Sequence, residues 1–202
     1  MTITDHTLKR CVWPGIENPE YTRYHDEEWG VPITDGSRLF EKLVLESFQA
    51  GLSWLTILRK RENFRKAFVR FDAAKIATFT SKDVERLMAD AGIVRNRAKI
   101  EATINNARAY LALSKQRDFA DIIWSHVSHK PIINSPKSMN DIPATTEQSK
   151  ALSKTLKAAG FNFVGPTTMY ALMQSSGLVN DHLITCHRHA ACAKLQANIS
   201  FN

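Results

Sequence analysis

The chain has 202 residues, 44% of them hydrophobic and 23% charged, with a formal net charge of +7. That composition excludes disordered and fibrous classes, and no apolar run approaches the ~20 residues of a membrane-spanning helix. The basic balance favours an anionic partner, nucleic acid first, although charge of this size also serves plain solubility.

Met1 to Leu8 offers neither an apolar core nor a small-residue cleavage site, so no secretory leader is expected and the protein is expected in the cytoplasm. Three cysteines, an odd count, argue against a disulfide framework, are too few for a four-cysteine iron–sulfur cluster, and leave room for another metal site.

In chain order, Asn18-Pro19 reads as an N-cap followed by proline at the first helical position, opening a short helix that ends near Trp29-Gly30. Asp35 can cap a helix running from Leu39 to Gly51, and Ser53 the next, through Trp54, Leu58 and Phe64. Asp72 begins a short helix to about Phe79. Thr80 to Asp83 resembles a capping box before Val84, Leu87 and Met88. A helix then ends at Gly92 and another starts near Asn96, and Phe119 to Val127 is amphipathic. Lys130 to Pro143, with three prolines, reads as loop. Thr145, with Gln148 three residues later, opens a helix that Gly160 stops. Pro166 opens the last long helix, which ends at Gly177, and the tail past His189 is expected to be mobile. No alternating strand of useful length and no repeat is found. The fold class is therefore all-α, about nine helices with short links.

Four groups of residues carry chemistry. Leu39, Phe40, Leu43, Val44 and Phe48 form one apolar stripe, and Glu46 lies on its edge. A carboxylate there needs a partner; snorkelling to solvent or an arginine pair would also satisfy it. The hairpin Gly92-Ile93-Val94-Arg95-Asn96-Arg97-Ala98-Lys99 places a tight turn at a helix start, where free backbone N–H groups can bind a phosphate and Arg95, Arg97 and Lys99 add charge. An ordinary two-helix turn with solvated basic residues is the alternative, and the pattern favours DNA over it. His182 and Cys186, four apart, share a face if that segment is helical, and Cys11 and His25 lie near the other end of the chain. A Cys2His2 set suits zinc, but spacing alone does not select these four over Cys192, His187 and His189. Finally, Trp13, Tyr21, Tyr24, Trp29 and Trp54 all precede residue 55, as Glu46 does. Such residues are usually core, yet flat faces and one acceptor are also what a nucleobase pocket needs.

The runs Tyr24-His25-Asp26-Glu27-Glu28-Trp29-Gly30-Val31-Pro32, Gln49-Ala50-Gly51-Leu52-Ser53-Trp54, Lys60 to Phe64, Gly92 to Arg97, Gly160-Phe161 through Val164-Gly165, and Val179-Asn180-Asp181-His182 occur in the order seen in the 3-methyladenine DNA glycosylase I family. The chain resembles that family from about Cys11 to Cys186. The resemblance implies a single helix–hairpin–helix glycosylase domain over 1–202, with the hairpin at about 84–110 and mobile ends at about 1–8 and 190–202. It implies a structural zinc on Cys11, His25, His182 and Cys186, joining the two termini, and a base pocket of Glu46, Trp13, Tyr21, Tyr24 and Trp54. Ser47 departs from the pattern, where glycine is expected beside the glutamate.

The expected activity is monofunctional hydrolysis of the N-glycosidic bond of 3-methyladenine in alkylated double-stranded DNA by a monomer, with Glu46 recognising the flipped base. Leu52, at the tip of the Ala50–Ser53 turn, is the candidate to fill the vacated space. Asp118 is the nearest acid after the hairpin and is not assigned a role, and no lysine is placed for a Schiff base. The alternative is a zinc-stapled helical module that binds DNA without chemistry.

Overall fold

The computed structural model describes residues 7–201, and over them the chain is almost entirely helical. Helix α1 (Pro19–Glu27) starts where the Asn18 side chain accepts from the N–H groups of Glu20 and Tyr21. Helix α2 (Gly36–Gln49) is capped by Asp35, and α3 (Trp54–Ala67) by Ser53. Helix α4 (Ala73–Ile76) is capped by Asp72 and stops short of Phe79. Helix α5 (Ser81–Ala89) carries the Thr80–Asp83 capping box. Helix α6 (Arg97–Ser114) is capped by Asn96, and α7 (Phe119–Ser125) by Asp118, whose carboxylate is thereby committed to backbone N–H groups.

Three expectations need correction. Helix α8 (Glu147–Ala158) is capped by Thr146 with Ser149, not by Thr145 with Gln148; the hydroxyl pair one residue on accepts from the N–H groups of Ser149 and Thr146. The presumed loop 130–143 holds β1 (Ile132–Ile133), which pairs in parallel with β2 (Val179–Asn180) beyond α9 (Pro166–Ser175), with Ile132 opposite Val179 and Ile133 opposite Asn180. Two residues are too few to show a period. The tail expected to be mobile from 190 forms α10 (His187–Ala197), with Cys192 and Gln196 buried. Gln196 donates to the carbonyls of Gly177 (2.9 Å) and Gly30 (3.4 Å), an anchor made to backbone rather than by an apolar stripe. Residues 1–6 and 202, also expected to be mobile, lie outside the described residues.

Helix α2 is the centre of the molecule. Leu39 and Leu43 point into a core built with α7, α8 and α9, while Phe40, Val44, Leu45 and Phe48 point into a second core with α3, α5 and α6. Its two buried ionisable residues, Lys42 and Glu46, belong to neither. Gly177, at φ +75°, turns the chain after α9, and a Cβ there would fall 2.5 Å from the Pro32 nitrogen, so only glycine fits. No helix among the described residues is long and apolar enough to cross a membrane.

Candidate functional site

A cleft of about 400 Å³ opens between α1, α2, the start of α3, α9 and the segment 139–144. Trp13, Tyr21, Tyr24, Trp54 and Glu46, named from the sequence as one group, all line it, with Trp29, Gln49, Tyr170 and Gln174. The rings form one continuous wall. Trp13 lies 5.1 Å from Tyr21 and 4.8 Å from Trp29, and Tyr24 lies 5.3 Å from Trp54, centroid to centroid. Spacings of this order are those of favourable aromatic pairs. The Trp54 indole N–H is buried without a hydrogen-bond partner.

Glu46 is the only carboxylate among the lining residues, and it is buried. Ser175 donates to its Oε1 at 2.8 Å; no described residue hydrogen-bonds the other oxygen. Burial pushes its carboxyl above the ordinary glutamate value, with the Lys42 ammonium and the Ser175 hydroxyl opposing. Burial, reinforced by the Glu46 charge, likewise raises the Tyr21 and Tyr24 phenols, so both stay neutral donors.

Sequence reasoning missed Lys42, Ser175 and the support behind Tyr170. Lys42 is buried, and its Nζ donates to the Tyr24 hydroxyl at 2.9 Å from behind the aromatic wall. The (i, i+4) relation of Lys42 to Glu46 on an otherwise apolar helix was the available signal. Asp181, fully buried, accepts from Tyr170, Gln174 and Asn134 at 2.6–2.7 Å and so fixes two of the lining side chains. Ser47, the departure noted above, donates to the carbonyls of Leu43 and Phe163 and does not line the cleft.

Cys11, His25, His182 and Cys186 do come together, all buried, with their ligand atoms within 4.8 Å of one another, so the group could hold a metal ion. The route differs from the expected one. Residues 181–186 form a turn rather than a helix, and Cys186 is the N-cap of α10. The rival ligands are occupied elsewhere: His187 on Asp26, His189 on the Asn134 carbonyl, and Cys192 against the Trp29 carbonyl. Asp26 also takes His25 Nδ1 (2.7 Å), and the Trp29 carbonyl faces His182 Nε2 (3.1 Å). The group abuts the cleft, since Trp13 packs edge-on against His25 (4.8 Å) and Trp29 against His182 (4.5 Å).

Residues 90–96 join α5 to α6. The Gly92 N–H is taken by Asp90 Oδ1 and the Ile93 N–H by the Asp90 carbonyl, so neither is free for a phosphate. Lys60 and Asn63 of α3 donate to the Gly92 carbonyl and tie the turn to α3. Arg95 and Asn96 are exposed, and Arg97 pairs with Glu85 and Glu101. Lys99 is not a surface cation: it is buried and its Nζ binds the carbonyls of Phe48 and Ala50. Those two carbonyls precede Gly51, at φ +82°, and Leu52, which is 40% exposed at the tip of the turn.

A family model described as methyladenine glycosylase matches residues 13–189. The chain is 54% identical over 178 residues to a Haemophilus influenzae protein named DNA-3-methyladenine glycosylase, covering 88% of this chain and 96% of the relative. It is similar to a crystal structure of 3-methyladenine DNA glycosylase I, with a TM-score of 0.88 and 50% identity, covering 90% of this chain and all of the other. It is also similar to a variant of such an enzyme in complex with 3-methyladenine, with a TM-score of 0.83 and 39% identity, over 86% of this chain and 94% of that one.

Proposed function

The chain belongs to the methyladenine glycosylase family, and on that premise we propose that it hydrolyses the N-glycosidic bond of 3-methyladenine in alkylated double-stranded DNA. The observation that carries this reading is a buried carboxylate with one oxygen held by Ser175, inside an open aromatic cleft. A non-catalytic DNA-binding module would leave those rings as core; here they line an opening.

Methylation at N3 makes adenine cationic and its glycosidic bond weak. As the bond breaks, the base departs neutral and water takes its place on the sugar. Glu46 accepts from the exocyclic amine and stabilises the cationic base electrostatically, while Trp13 and Trp54 stack on it and Tyr21 and Tyr24 close the wall. With no second carboxylate and no lysine among the lining residues, recognition and leaving-group chemistry carry the reaction, which ends at base release without strand cleavage. Leu52 fills the gap left by the flipped nucleotide, and Arg95, Asn96 and Arg97 lie along the DNA backbone, in the manner of a helix–hairpin–helix glycosylase. The whole chain acts as one domain and as a monomer in the cytoplasm.

The Cys11, His25, His182 and Cys186 set fits zinc. A tetrahedral ion with Zn–S and Zn–N bonds of about 2.3 and 2.0 Å separates sulfur from nitrogen by roughly 3.5 Å. Here Cys11 Sγ lies 3.5 Å from His182 Nδ1, and Cys186 Sγ lies 3.5 Å from His25 Nε2 and 3.6 Å from His182 Nδ1. The second ring nitrogens face a carboxylate and a carbonyl, as metal-bound imidazoles require. Four protein donors would leave no open position, so an ion held there would be structural, and His25 and His182, fixed by it, would support Trp13 and Trp29 in the wall.

The test is release of free base from methylated duplex DNA by the purified protein and by Glu46→Gln. We expect 3-methyladenine release by the wild type and a loss of roughly ten- to a hundredfold in the variant, the worth of one charged hydrogen bond. DNA binding without release by the wild type would overturn the assignment.

A further inference from the structure

Lys42 is one helical turn before Glu46 on α2, buried, and absent from the residues lining the cleft. Its Nζ is 2.9 Å from the Tyr24 hydroxyl and 4.6 and 4.8 Å from the ring centres of Tyr24 and Trp54. An ammonium on an apolar central helix is costly, and methionine or leucine would fill the same space. We propose that Lys42 is a positioning residue for the base site: one helical turn from Glu46, its charge favours the Glu46 carboxylate against the burial that opposes it, and its hydrogen bond leaves the Tyr24 O–H free to donate into the cleft. The inference rests on the glycosylase reading above and deepens it.

The electrostatic surroundings support it. The groups facing Lys42 and Glu46 are Tyr21, Tyr24 and Glu27 of α1, Glu28 just beyond it, Arg38 and Glu41 on α2, and Arg61 and Arg65 of α3; α9 presents Ser175 and Tyr170, both neutral. Arg61 is spent on Glu28 and Arg65 on Glu41 and Glu62. Lys42 is thus the cation whose field falls on Glu46. Burial pushes its ammonium down to about 8, against the upward pull of Glu46 and Glu28, so it is charged at neutral pH. Because Nζ donates to the phenol oxygen, the Tyr24 proton must point elsewhere. Lys42 also stands behind the rings rather than in the cleft, so it positions the site and cannot attack the sugar.

The experiment is the pH dependence of binding of free 3-methyladenine to wild type, Lys42→Met, Lys42→Arg, Glu46→Gln and the Lys42→Met/Glu46→Gln double variant. Without the ammonium, Glu46 protonates more readily. We expect the acid limb of Lys42→Met to move up by about one pH unit, with about tenfold weaker binding on that limb, rescue by Lys42→Arg, and no further shift when Glu46→Gln is already present. Superimposable profiles for wild type and Lys42→Met would overturn the proposal and leave the glycosylase reading standing. Failure of the wild type to bind 3-methyladenine would strike the glycosylase reading instead. Should Lys42→Met not fold, the wild type decides: the Nζ nitrogen chemical shift near pH 6 must be that of an ammonium, and a neutral amine there would overturn the role.

Discussion

Lys99, at the start of α6, donates from Nζ to the carbonyl of Ala50 at 2.6 Å, joining α6 to the turn that presents Leu52. It also reaches the Phe48 carbonyl at 2.8 Å, so one ammonium satisfies two carbonyls at the C-terminus of α2. Lys99→Met should therefore cost stability, about 1.5–3 kcal/mol for a charged hydrogen-bonding group, and leave the salt dependence of DNA binding unchanged. Arg95→Ala should do the reverse: no loss of melting temperature, and a salt slope smaller by about one. Equal slopes for wild type and Arg95→Ala would remove that residue from the DNA interface.

Glu46 ties function to a stability cost. Burial raises its carboxyl above the value in the unfolded chain, so between the two values the folded state holds the proton and the unfolded state does not. Stability associated with this group therefore falls as pH rises through that interval. Glu46→Gln should melt higher than the wild type near neutral pH, with the gain shrinking towards the acid side of the ordinary glutamate range, while base release falls. A variant less stable than wild type at neutral pH would show that the carboxylate is well satisfied in the fold.

The metal reading makes a paired prediction. Cys186→Ser should lose one equivalent of zinc by metal analysis and melt lower by roughly 10 °C, the shift that several kcal/mol produce in a chain of this size. Asp26 sits behind the ligands, accepting from Arg10, His25 and His187; burial works against its charge, but these donors hold its carboxyl far below the usual range. Asp26→Asn should keep the zinc and weaken its affinity about ten- to a hundredfold in a chelator competition. Unchanged metal content in Cys186→Ser would refute the site.

Leu52 is the exposed apolar side chain at the tip of the Gly51 turn. Leu52→Ala should leave binding of free 3-methyladenine intact and slow release from duplex DNA by about tenfold, since filling the vacated stack offsets part of a flipping cost of a few kcal/mol. Equal losses in both assays would place Leu52 in the fold instead.

Ser47 holds α2 to the Phe163 carbonyl, at 3.1 Å. Ser47→Gly, which restores the residue expected from the family resemblance, should destabilise by about 1–2 kcal/mol through a lost hydrogen bond and a glycine in a helix interior. Its affinity for 3-methyladenine should not change, which a binding titration checks.

What the residues announce locally is what local physics controls. Asn18, Asp35 and Ser53 each cap the helix they were expected to cap, because a side-chain oxygen finds an N–H two or three residues away whatever the rest of the chain does, and Thr80 and Asp83 bond each other at the start of α5 for the same local reason. The apolar positions of α2 were likewise legible, while the gathering of Trp13, Tyr21, Tyr24 and Trp54 with Glu46 was implied by the family resemblance. The remainder required distant parts of the chain to meet. Lys99 reads as a surface cation until its partners 49 and 51 residues earlier are seen. The tail looks free until Gln196 finds carbonyls on Gly30 and Gly177. His182 and Cys186 meet through a turn that no helical period describes, and Lys42 acquires meaning only from the Tyr24 hydroxyl above it and the carboxylate one turn on. Lys99, Gln196 and the Tyr24 partner of Lys42 each rest on a buried polar group paired across long sequence separation, and periodicity registers apolar faces and has no term for such pairs.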